Sequence, residues 1–164
     1  MRNHTRRFIR WAGLLAISLL FFLPIYGQDQ SMQLQSAVAE QSDNLKANLE
    51  IANAQHDIIL LHLKNDQFDK VWSGTQFLLS IKFPAEQELS TVKSIYIITE
   101  RLFEKSNSAL AHQILSAAEK ALTDNANKAK VYLMQARAYK REGLDEKAIE
   151  CFKKSQELNA RSPK

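Results

Sequence analysis

From residue 58 onward, apolar positions recur at intervals of three and four with polar residues between them, the period of a helix with one buried face. Val92, Ile95, Tyr96, Ile98, Leu102 and Phe103 make one such stripe, and Leu110, Ile114, Leu115, Ala118 and Leu122 make a second. Val131, Leu133, Met134, Ala136, Ala138 and Tyr139 make a third; Leu144, Ala148, Ile149, Phe152 and Leu158 make a fourth. The stripes are separated by short polar breaks. Ser106-Asn107-Ser108 supplies a turn and an N-cap, and Gly143 can adopt the left-handed conformation that ends a helix at little cost. Beyond residue 27 the glycines and prolines are Gly74, Gly143, Pro84 and Pro163, too few for strands joined by tight hairpins. The pattern predicts an all-α chain of about three antiparallel helix pairs. The first runs from Ile58–Leu63 through Asn65–Trp72 to Phe77–Pro84, and the second joins Glu86–Lys105 to Ala109–Leu122. The third spans 128–163.

The third pair carries more than periodicity. Small residues at Ala136, Ala148 and Ser155 let its two helices approach closely, while Tyr139 and Phe152 are expected to fill the space between them. On that expectation Phe152→Ala should cost about 3–5 kcal/mol. With Ala129 as position one, Tyr132, Ala136, Tyr139, Gly143, Ala148, Phe152 and Ser155 fall at the places that define a tetratricopeptide repeat, which the segment resembles. It departs in Gln135, where Leu is usual, and in Pro163, three places beyond the usual proline. Placing Val71 on Ala148 and Leu78 on Ser155 gives a degenerate repeat 77 residues earlier, nine more than two units of 34, so the middle pair must be long. The resemblance implies a short helical-hairpin solenoid over 53–163 that binds a protein or peptide. It also implies that Lys130, Leu133, Arg137, Lys140 and Arg141 line the inner groove. Four of these five are cations, which suits an acidic segment or a C-terminal carboxylate.

The N-terminus has a different character. Arg2, Arg6, Arg7 and Arg10 precede the apolar run Leu14–Leu23, followed by Pro24 and Gly27, as in a secretory signal peptide cleaved after residue 27. The alternative is an uncleaved anchor with the arginines on the cytoplasmic side, the one reading that involves a membrane. Either places the remainder in an extracytoplasmic compartment, most simply a bacterial periplasm. Residues 28–52, rich in Gln, Asn, Ser and Ala, are expected to be a polar helix or spacer. Val38, Leu45, Leu49, Ala52, His56, Ile59 and Leu63 fall near heptad spacing. They form either the edge of a long first helix packed on the first pair or the seam of a self-assembling 38–63 helix.

Charge follows from the same division. The chain has 22 Lys and Arg against 18 Asp and Glu, and the four arginines of the leader are the whole surplus. A neutral remainder has no global electrostatic reason to bind nucleic acid. Cys151 is the single cysteine, so no internal disulfide can form, and it reads as a small half-buried residue, with a disulfide-linked dimer as the alternative. No metal-ligand spacing, phosphate-cradling loop or nucleophile elbow is present. The expected function is therefore an interaction module, without cofactor or chemistry of its own. A self-assembling subunit is the alternative, and a small envelope enzyme or enzyme accessory the more distant one.

Overall fold

In a computed structural model of the chain, residues 23–162 are described. The helices are α1 (Leu23–Lys64), α2 (Phe68–Ser80), α3 (Glu88–Glu104), α4 (Ser108–Ala121), α5 (Asn125–Arg141) and α6 (Asp145–Ala160), with a 3-10 turn at Ala85–Gln87. Among the described residues there is no strand, and the all-α expectation holds. The basic head and nearly all of the apolar run of the expected leader lie outside the described residues. Among those described, no helix is long and apolar enough to cross a membrane. The described residues up to Leu45 belong to one unit, and the unit from Lys46 onward contains everything described below. Helix α1 runs unbroken through residues 52 and 53, where the sequence pattern placed a change of segment.

Three turns of one geometry organise the second unit. Asp66, Ser106 and Gly143 have φ of 56°, 60° and 76°, the left-handed region. At each turn the next amide donates back five residues: Gln67 to the His62 carbonyl, Asn107 to Leu102 and Leu144 to Tyr139, at 3.0, 2.9 and 2.9 Å. A second bond, spanning three residues, accompanies each, from Asp66 to Leu63, Ser106 to Phe103 and Gly143 to Lys140. This double closure satisfies carbonyls that a helix end would leave bare. The turns fall 40 and then 37 residues apart, from 66 to 106 to 143. They therefore put Val71, Ala111 and Ala148 in register, all three buried.

Packing follows chain order. α4 packs on α2, α3 and α5, α3 also packs on α5, and α5 packs most extensively on α6. Ile95, Ile98, Leu102, Ile114 and Leu115 are completely buried at the centre. Thr75 and Thr99 are buried there too, their hydroxyls donating to the Val71 and Ile95 carbonyls at 2.8 Å, so neither leaves a polar group unpaired. On α1, Ala52, Ile59 and Leu63 are buried. Opposite them, a Cβ on Gly74 would come within 2.9 Å of Ile59 Cγ1, so glycine permits α1 and α2 to approach closely. Over 52–63 the heptad positions are thus taken up inside the unit, as the packed-edge reading has it.

Phe152 differs from expectation. It is 47% exposed and its neighbour Ile149 55%, while the residues that α6 buries are Ala148 and Ser155. Its counterpart in the preceding pair, Leu115, is completely buried on α4, against which α5 packs. No described helix packs in that way on the outer face of α6, so Phe152 has a pair partner on one side only.

Candidate functional site: a basic apolar groove between α3 and α5

A polar clasp sets the relation between the second and third pairs. Glu88, at the start of α3, accepts hydrogen bonds from the Thr123 amide at 2.8 Å, the Thr123 hydroxyl at 2.5 Å and the Asp124 amide at 3.0 Å. Burial alone would raise the Glu88 carboxyl pKa. These bonds and the Asn127 side chain outweigh it and hold the group below its ordinary value. Asp124 then caps α5 through the Asn127 amide at 2.8 Å, and Asn127 donates its side-chain N–H to the Ala85 carbonyl at 3.2 Å. The start of α5 is thereby fixed against the start of α3.

Above this clasp the two helices leave an open groove of about 500 Å³. α3 contributes Leu89, Val92, Lys93, Tyr96 and Ile97; α5 contributes Lys130, Leu133, Met134 and Arg137. Each set recurs at the three-to-four spacing of a single helix face. Leu89, Tyr96 and Ile97 are 36%, 42% and 39% exposed, a contiguous apolar floor open to water. The charged groups that line it are Lys93, Lys130 and Arg137, with no carboxylate among the lining residues. Lys130 Nζ donates to Asn127 Oδ1 at 3.1 Å, and among the described residues neither Lys93 nor Arg137 forms an ion pair.

Of the five groove residues implied by the family resemblance, Lys130, Leu133 and Arg137 stand together here. Lys140 and Arg141 are engaged elsewhere. Lys140 pairs with Asp145 at 2.7 Å across the α5–α6 turn. Arg141 reaches Glu100 on α3 at 2.9 Å and lies over the Phe103 ring, 5.0 Å from its centroid, so it ties one pair to the next. Lys93 and Tyr96 belong to the groove although family positions on the third pair alone do not reveal them. The signal was the turn register, which sets Lys93 beside Lys130 and Tyr96 beside Leu133, 37 residues apart in each case.

Of the positions expected to form the repeat core, Phe152 is half-exposed and the others pack or turn. Ala136 and Ala148 are buried, and Gly143 occupies the left-handed turn. Tyr132 donates its hydroxyl to Glu119, and burial followed by that carboxylate pushes its pKa up to about 12. Tyr139 stacks on His112, centroids 4.5 Å apart, and His112 also bonds Glu142 at 3.0 Å. Burial pushes the Cys151 thiol pKa up, which keeps it protonated and a poor nucleophile. Among the described residues no three of His, Cys, Asp and Glu lie together where they could hold a metal ion.

A second groove, of about 510 Å³, adjoins the first through Leu133 and Arg137. It lies between α5 and α6, floored by Ala136, Ala148, Ile149 and Phe152, with Lys140 and Asp145 at its edge. In comparisons with known proteins, no family model matches this chain and no curated protein is significantly similar to it.

Proposed function

We propose that this chain is an exported protein-interaction module of tetratricopeptide-repeat type, acting in a bacterial cell envelope. It holds an acidic segment of a partner protein in the α3–α5 groove and carries out no chemistry there. The leader-like residues 1–27 support the export, and the spacing of 128–163 together with the repeated turn supports the repeat type. The observation that carries the binding reading is the pairing of an exposed apolar floor, Leu89, Tyr96 and Ile97, with Lys93, Lys130 and Arg137 and no acid. Apolar side chains of the ligand would supply affinity and its carboxylates the orientation, through charge-assisted bonds to the cations.

The test is fluorescence anisotropy with acidic amphipathic peptides, alongside photo-crosslinking from position 137 in the native host. Arg137→Glu is expected to weaken peptide binding at least tenfold, about 1.4 kcal/mol, with an unchanged helical signal. Binding should also weaken as salt rises. Equal affinity of the parent and Arg137→Glu chains for every peptide bound would exclude this groove as the site.

A further inference from the structure

We propose that copies of this chain join head to tail, with α1 of one copy seated in the α5–α6 groove of the next. Helix α1 exposes a stripe one position away from its buried edge: Ile51, Ala54, Ile58 and Leu61, at spacings of three, four and three. Ile51 and Ile58 are each 47% exposed and Leu61 56%. The turn register identifies this stripe. Ile58 stands 40 residues before Ile98 and 77 before Gln135, and both of those are buried, on helices that pack against the pair before them. At the far end, Phe152 stands in register with Leu115, which is buried.

The fold therefore already contains the proposed junction. Leu115 on α4 and Gln135 on α5 are both buried, in helices that pack on each other between the second and third pairs, whereas the positions in register with them, Phe152 and Ile58, stand open on the third and first pairs. Charge agrees with the assignment of a second copy as the occupant. Glu50 and Asp57 are exposed immediately before Ile51 and Ile58, and the receiving groove carries Arg137, which forms no ion pair among the described residues. One acid on that rim, Asp145, is already paired with Lys140. The two faces differ from each other, so the contact is heterologous and leaves a free end at each step. The argument rests on the turn register and on α1 and α6, not on the acidic-peptide reading of the α3–α5 groove.

The experiment is sedimentation velocity of the full-length chain and of two variants, Ile58→Arg and Phe152→Glu, each shown to fold by its helical circular dichroism. Both sites are half-exposed, so neither substitution enters the core. The parent should form species that grow beyond a dimer with concentration, and each variant alone should stay monomeric. Mixed one to one, the variants should form a heterodimer that grows no further, since each retains the end the other lacks. Three outcomes would overturn the proposal: a monomeric parent at every attainable concentration, no heterodimer on mixing, or continued self-association of Phe152→Glu alone. The last would mean that α1 pairs with α1. Loss of peptide binding by Arg137→Glu leaves this test unaffected if the variants at 58 and 152 still bind peptide.

Discussion

The α3–α4 and α5–α6 pairs share one turn geometry and one register, yet they differ in what holds them. The α3–α4 pair is packed from both sides, with Ile95, Ile98, Leu102, Ile114 and Leu115 all fully buried. The α5–α6 pair depends on its own close approach. Ala136 and Ala148 bring the helices together, and the Ser155 hydroxyl donates to the Ala129 carbonyl at 2.8 Å, fastening the end of α6 to the beginning of α5. The pair with the clearest repeat signature is thus the one with the less buried second helix. That signature describes how two helices of a pair touch. It says little about what covers them afterwards.

The comparison breaks most readily at equivalent positions. Leu115→Ala should cost about 2–5 kcal/mol, because it empties space closed on all sides. Phe152→Ala should cost about 1 kcal/mol, since half of the ring is already in water. Urea denaturation midpoints at constant slope decide this, and equal losses would mean that α6 is as enclosed as α4. Next in size is the clasp between the pairs. Glu88→Gln should cost about 1–3 kcal/mol at pH 7, because charge-assisted bonds to Thr123 and Asp124 are weakened.

The pH dependence of that loss has a definite sign. The folded-state pKa of Glu88 lies below its ordinary 4.5, so its contribution is complete above that value. It disappears as pH falls through the lower folded value. The gap between parent and Gln variant should therefore be constant from neutrality down to about pH 5 and close in more acid solution; a gap that persists unchanged would assign the loss to shape rather than charge. The smallest effects sharpen the likeness of the turns. Gly143→Ala should cost about 1 kcal/mol, since the position has φ of 76° with no steric crowding. Ser106→Gly, at φ of 60°, should change stability by less than that and in the favourable direction. Thermal unfolding of the two single variants checks both.

The helices themselves were legible because their stripes are regular. Val92, Ile95, Ile98 and Leu102 lie on one face of α3, and the break at Ser106 and Asn107 coincides with the turn. Gly143 was legible for the same reason, as a residue suited to positive φ. The exposure of Phe152 was not, because an apolar residue in phase with a stripe reads alike whether or not another helix arrives to cover it. The groove was half legible. Lys130, Leu133 and Arg137 lie on the helix that carries the repeat signature, whereas Lys93 and Tyr96 come from a pair whose register depends on turns of unequal spacing. Lys140 and Arg141 had the right helical phase but met Asp145 and Glu100, and a single-helix argument does not see the second of these, 41 residues away.

Contacts among α2 to α6 join helices no more than two places apart in chain order. Such a lattice spreads cooperativity only from neighbour to neighbour, so its stability is graded along the chain. Little loop-closure entropy opposes each local step, and assembly can begin at any pair and propagate. Amide exchange would then run inward from the α6 end, with the Ile95–Leu102 turns of α3 the last to open.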